Sequence, residues 1–239
     1  MATIEKALQG VKSRIAEAAR AAGRDPRDIL LVAVSKTFPA AAVQAALAAG
    51  QRDFGENYLQ EALEKMAALA ALEPAAASAI CWHFIGPIQS NKTRAIAERF
   101  QWVHSIDRLK IAERLSAQRP ATLPPLEVCV QVNTSGELSK SGCAPADAPA
   151  LAKSIAALPR LRLRGLMTVP EPTPDQALQR ARFEGLHALL AQLRGERLAL
   201  NTLGTLDTLS MGMSADMPEA IAAGSTLVRI GTAIFGART

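Results

Sequence analysis

The segment LLVAVSKTFP, Leu30 to Pro39, decides how the rest of the chain reads. Five consecutive apolar residues, from Leu30 to Val34, make the unbroken run expected of a strand covered on both faces in a parallel sheet. Ser35, Lys36 and Thr37 then fall at the carboxyl end of that strand. A lysine there is either a solvated loop residue or an amine facing an apolar pocket, where burial disfavours the ammonium form and leaves a nucleophile near neutral pH. The second reading describes a lysine able to form a Schiff base.

Working outward, the same unit recurs. Further strands are predicted at residues 53–54, 81–85, 102–106, 126–132, 163–169, 208–211 and 227–230. Helical patterns separate them. A helix over residues 4–22, stopped by Gly23 and Pro26, precedes the first strand. Another follows Pro39 and closes at Gly50, and a third starts near Leu59. Residues 67–79, broken by Pro74, read as a helix end and a surface loop. Helices at 90–99, from Asp107 as cap to Gln118, at 148–158 and up to Arg194 complete the alternation. Eight strands alternating with helices in a chain of 239 residues predict an α/β fold, a single (β/α)8 TIM-type barrel with an extra N-terminal helix, one domain over residues 1–239.

Composition narrows the function classes. The chain is 49% hydrophobic, enough for a full core, and no apolar run approaches the roughly 20 residues a bilayer span needs. Cys81, Cys129 and Cys143 are odd in number, far apart and in no ligand spacing, which fits a reducing cytoplasm better than disulfides or a metal site. The net charge of +5 is spread among acidic residues, and 4% aromatic content gives little to stack on bases, so nucleic acid is not an expected partner. A small anionic ligand explains the excess more simply.

Lys36, Asn57, Gly86, Ser105, Asn133, Met167, Ser210 and Arg229 fall at or just past predicted strand ends, on the rim where barrels of this type carry their sites. Gly231 and Thr232 follow the last strand, where backbone N–H groups are open to an anion, and Ser210 and Ser214 add hydroxyls from the neighbouring loop. The same residues also suit a plain turn and cap. If the last strand pairs with the first, this cradle and Lys36 stand about one strand spacing apart, roughly 4.8 Å, plus side-chain reach. A flat ligand carrying an aldehyde and a phosphate bridges them, and pyridoxal 5′-phosphate has that form.

The segments AVSKTFPA, DFGENYLQE, WHFIGPIQSNK, VQVNTSGELSKSG, RGLMTVP and LSMGMSADMPEAIAAGSTLVRIGTAIFG run in order to the end of the chain and together resemble the YggS/PROSC-type pyridoxal-phosphate homeostasis proteins. The resemblance implies a type III pyridoxal-phosphate fold, similar to the barrel domain of alanine racemase, with Lys36 holding the cofactor as an internal aldimine. It implies that Ser214, Gly231 and Thr232 hold the phosphate, that Arg229 lies near the pyridine ring, and that Asn57 and Met211 line the pocket. An arginine opposite the pyridine nitrogen keeps that nitrogen unprotonated and weakens carbanion chemistry. A salt bridge or a phosphate contact is the other role open to Arg229.

Two classes follow. A racemase of this fold needs Lys36 as one base and a second group on the opposite face of the substrate, which the resemblance assigns to a tyrosine supplied through an additional domain and a dimer. This sequence ends three residues after Gly236 and contains one tyrosine, Tyr58. A cofactor carrier needs no second base. The expectation is a cytoplasmic monomer that binds pyridoxal phosphate reversibly and passes it to apo-enzymes, with no catalytic residue. Lys140, between Ser139 and Ser141, is either a second amine for handing the cofactor on or a solvated loop lysine. His83 and His104 are read as core or pocket residues and His187 as structural, with no metal constellation among them.

Overall fold

The computed structural model describes residues 2–137, 141–196 and 206–237. Its strands are β1 (Leu30–Val34), β2 (Asp53–Glu56), β3 (Cys81–Phe84), β4 (Trp102–Ile106), β5 (Leu126–Gln131), β6 (Leu161–Met167), β7 (Thr208–Ser210) and β8 (Leu227–Ile230). They are joined in sequence order into a closed, all-parallel barrel. Closure runs through β1 and β8, with Val32 beside Arg229 and Ala33 beside Ile230. The two ends of the sequence thereby share one seam.

The helices follow the strands as an outer layer: α2 (Ala40–Ala48), α3 (Leu59–Leu72), α4 (Pro74–Ser78), α5 (Thr93–Arg99), α6 (Leu109–Gln118), α7 (Ala148–Ala156), α8 (Gln176–Gly195), α9 (Met217–Ala222) and α10 (Thr232–Phe235). The opening helix α1 (Ala2–Ala21) buries Leu8, Val11, Ile15 and Ala19, a stripe at helical spacing, and lies against α2, α9 and α10. Arg24 pins its end by donating to the carbonyls of Ile221 and Ser225 at 2.8 and 2.6 Å. Among the described residues no helix is long and apolar enough to cross a membrane.

Two local expectations are corrected. Pro74 does not open a loop. It stands at the first turn of α4, where its missing N–H costs no hydrogen bond and its fixed φ suits a helix start. Asp107 does not cap α6; the cap position is Arg108, and the Asp107 carboxylate instead pairs with the Arg108 guanidinium at 2.7 Å. Strand ends move by one or two residues: β2 reaches Glu56 because Phe54 and Gly55 are buried, and β6 runs from Leu161 to Met167.

Candidate functional site

The turn after β1 is built by three charged side chains from β2 and α3. Ser35 is fully buried; its hydroxyl donates to Glu56 at 2.6 Å and its carbonyl accepts from Lys65 Nζ at 2.6 Å. Lys65 also pairs with Glu56 at 2.6 Å and Glu61 at 2.7 Å, and Glu61 accepts the Thr37 N–H at 2.5 Å. Thr37 itself has φ 69°, a conformation a β-branched residue seldom adopts, so this turn stores local strain that its neighbours enforce. Lys36 is thus clamped on both sides, half-buried, at the carboxyl end of the barrel. Burial pushes the Glu56 carboxyl above its usual range, opposed by its hydrogen bonds from Lys65 and Ser35.

Lys36 opens onto a cavity of about 310 Å³, within the size range of small-molecule sites. Asn57, Ser214, Arg229, Gly231 and Thr232 line it with Lys36, and Val34, Phe38, Ile85 and Val169 supply apolar wall. The Phe38 ring lies 5.2 Å from that of Phe235, joining the loop after β1 to α10. Two glycines leave room that a side chain would take. A Cβ on Gly86 would strike the backbone carbonyl of Asn57, and one on Gly231 would come within 3.1 Å of the Val34 carbonyl. Asn57 Oδ1 is buried with no protein partner, an acceptor left over beside the cavity.

Arg229 enters from β8, 4% exposed. Its Nη1 donates to Ser210 Oγ at 2.6 Å and its Nη2 to the Thr168 carbonyl at 2.8 Å. Burial brings its pKa down to about 10, against the pull of Asp216 and Cys129, so the guanidinium stays charged at neutral pH. Below it, inside the barrel, Ser210 meets His104 Nδ1 at 2.8 Å, His104 Nε2 meets His83 Nδ1 at 2.9 Å, and His83 Nε2 meets Asp53 at 3.0 Å. Burial pushes both imidazoles down, His104 furthest, with His83 and Arg229 adding to the effect on His104 and Asp53 opposing it on His83. They are neutral at pH 7.

Of the residues singled out in the sequence, Lys36, Asn57, Ser214, Arg229, Gly231 and Thr232 share the cavity. Ser210 does not reach its surface and stands behind Arg229. Met211, expected as lining, is fully buried in the core, while Met213, two residues on, lines the cavity in its place. Lys140 lies outside the described residues. His83 and His104 are core residues, and His187 Nδ1 contacts the Ala223 carbonyl at 3.0 Å.

One grouping was hidden by spacing: Asp53, Cys81 and His83 bring a carboxylate, a thiol and an imidazole within 4.8 Å of one another at the amino end of the barrel. The sequence reading, which found no metal constellation among the three histidines, did not group His83 with Asp53 and Cys81. His83 Nε2 is nevertheless committed to Asp53, and burial, reinforced by Asp53, pushes the Cys81 thiol up to about 12. Adjacent strands explain the cluster, since Asp53 and Cys81 are register partners and His83 follows Cys81 by one strand repeat.

With that geometry in place, comparison with known proteins is informative. The alanine racemase N-terminal domain family matches residues 7–239. A pyridoxal phosphate homeostasis protein of Pseudomonas aeruginosa is 65% identical over 238 residues, spanning 100% of this chain and 97% of its own. Its counterpart in Escherichia coli is 52% identical over 231 residues, 97% of this chain and 95% of that protein. Among solved structures, PipY of Synechococcus elongatus with PLP bound is similar at a TM-score of 0.81 and 36% identity, covering 98% of this chain and 100% of that one.

Proposed function

The chain belongs to the pyridoxal phosphate homeostasis family, built on the alanine racemase N-terminal domain, and from that premise we propose that it binds pyridoxal 5′-phosphate reversibly in the cavity at Lys36 and supplies it to other enzymes in the cytoplasm. One observation carries the reading: a primary amine from the loop after β1 and an anion-binding turn after β8 face the same cavity because those strands are neighbours in a closed barrel.

The residues present fit that group. Lys36 Nζ is the amine for a covalent bond to the cofactor. The Ser214 and Thr232 hydroxyls and the backbone N–H groups at Gly231 and Thr232 are the donors for a phosphate, and Gly231 keeps that turn clear of a side chain. Asn57 offers its unpartnered oxygen to a hydroxyl or protonated group of the ligand. Bound pyridoxal phosphate supplies an electrophilic carbon and an electron-withdrawing ring. Arg229, a donor that cannot accept a proton, suits an unprotonated pyridine nitrogen; it lines the same cavity from within β8, two residues before the Gly231 turn.

A racemase would need a second proton-transfer group facing Lys36. Among the described lining residues the only other ionisable side chain is Arg229, which cannot serve as a base, and Tyr58 is 57% exposed and outside the lining. A carrier requires neither.

Titration of the protein with pyridoxal phosphate should give a visible absorption band, and borohydride reduction followed by peptide mapping should recover the adduct on Lys36. Lys36→Ala should abolish the band. Adduct on another lysine with Lys36 unmodified would reject the assignment. Incubation of the loaded protein with an apo-enzyme should restore that enzyme's activity, and amino acids in deuterated water should show no α-proton exchange at enzymatic rates; rapid exchange would favour the racemase.

A further inference from the structure

The interior of the barrel beneath the cavity is polar along one line. Arg229, Ser210, His104, His83 and Asp53 follow one another at 2.6, 2.8, 2.9 and 3.0 Å, from four different strands of the barrel together with the strand that carries Asp53. The line runs from the cavity to the opposite mouth, since Asp53 opens β2 whereas Arg229 lies near the end of β8. Ser210, His83 and His104 are all buried.

Its two ends dictate how the hydrogens must point. A guanidinium only donates, and a carboxylate only accepts. Asp53 therefore accepts a hydrogen bond from the His83 Nε2–H, which leaves His83 Nδ1 as an acceptor in the neutral ring. His104 must then donate from Nε2, and its Nδ1 accepts from the Ser210 hydroxyl, whose oxygen accepts from Arg229. Each group satisfies its neighbour in one direction only. Reversing any link would place two donors or two lone pairs face to face in the dry interior.

The line is also held rigid from the side. Trp102 stacks on His83 at 5.5 Å with the rings 14° apart, and Arg164 covers Trp102 at 4.9 Å. Arg229, for its part, touches a hydroxyl and a carbonyl, both neutral. The carboxylate that completes its hydrogen-bond path is Asp53.

We propose that Asp53, His83, His104 and Ser210 form a single directed hydrogen-bond relay that orients Arg229 toward the cofactor ring, so that the charge on Asp53 at the far end of the barrel tunes how the site holds pyridoxal phosphate. This rests on the cofactor reading above. The four are positioning residues: none touches the cavity, and no proton has to move for the relay to act.

Selective 15N labelling of histidine in the cofactor-free protein tests the direction by itself. Long-range proton–nitrogen correlation spectra at pH 7.5 should show His83 and His104 neutral with the proton on Nε2. A proton on His104 Nδ1 would overturn the relay, whether or not the protein takes up pyridoxal phosphate.

The coupling is tested with the cofactor. Asp53→Asn, nearly isosteric, should weaken pyridoxal phosphate binding by about three- to tenfold and move its visible band, because a charge-assisted link becomes a neutral one. Ser210→Ala should do at least as much, and Ser210→Thr, which keeps the hydroxyl, should restore the wild-type band. In the Ser210→Ala background, Asp53→Asn should add less than about twofold, since the link to Arg229 is already cut. Independent, multiplying effects of the two substitutions, or an unshifted band in Asp53→Asn, would overturn the proposal. Failure of the wild-type protein to bind pyridoxal phosphate would instead defeat the cofactor reading, and the tautomer spectra would separate that outcome from a misread relay.

Discussion

Gly231 joins the barrel seam to the cavity at Lys36, and a single methyl group tests both. Its φ of −115° is one any residue adopts, so alanine introduces no backbone strain, but the new Cβ would lie 3.1 Å from the Val34 carbonyl. The strand or the turn has to give by a few tenths of an ångström. Gly231→Ala should therefore cost only about 1 kcal/mol in urea unfolding, the low end of overpacking, while pyridoxal phosphate affinity falls about tenfold. An unchanged affinity would place the phosphate elsewhere. At this scale much of the site was legible: Lys36, Asn57, Arg229 and Gly231 stand where strands end, and a strand end is readable from where an apolar run stops. Met211 was misplaced for a related reason. β7 is three residues long and ends at Ser210, so the turn beyond it, in which Gly212 has φ 94°, decides which methionine faces the cavity, and an apolar run carries no trace of that turn.

Between elements, the Lys36 turn depends on the cluster that α3 and β2 build beneath it. Lys65 and Glu56 are 5% and 0% exposed, so removing Lys65 leaves the Glu56 carboxyl buried with only the Ser35 hydroxyl to compensate it. Lys65→Met should destabilise the fold by about 3 kcal/mol at pH 7, as for other broken buried pairs. The loss should shrink on acidification. Glu56 has a folded-state pKa raised above its ordinary 4.5, so the folded form takes up the proton first as pH falls and the penalty of a buried charge grows only as pH rises. Urea midpoints of Lys65→Met at pH 7 and pH 5 should therefore differ less from wild type at the lower value, and Glu56→Gln combined with Lys65→Met should recover part of the deficit at pH 7. An equal deficit at both pH values would mean that Glu56 is not the stranded group. None of this cluster was visible in the sequence. Glu56, Glu61 and Lys65 look like ordinary surface charges of a helix start, and only the packing of α3 onto the turn after β1 buries them. Pro74 and Asp107 were misread likewise, because helix starts are decided by which backbone groups lack partners, and Arg108 competes for the Asp107 carboxylate.

Across the whole molecule, the closed barrel could be read from eight apolar runs alternating with helices, but its polar axis could not, since Asp53, His83, His104, Ser210 and Arg229 are scattered along the chain and meet only on closure. That axis makes the fold sensitive to mild acid. Both imidazoles have folded-state pKa values below their ordinary 6.5, so below that pH the unfolded chain binds protons that the folded barrel refuses. Stability is fully present above pH 6.5 and declines as pH falls, by at most about 1.4 kcal/mol per pH unit for each imidazole. Glu56, whose folded-state pKa is raised, pulls the opposite way from its ordinary 4.5 upward. The urea midpoint should hold steady from pH 8 to pH 7 and drop between pH 6.5 and 5.5. In His104→Gln, less stable at every pH, that drop should be roughly half as steep, because one of the two protons taken up on unfolding is gone. An equally steep decline in wild type and variant would assign the acid sensitivity to groups away from the axis, and a flat wild-type profile would show the two histidines to be accessible to protons in the folded state.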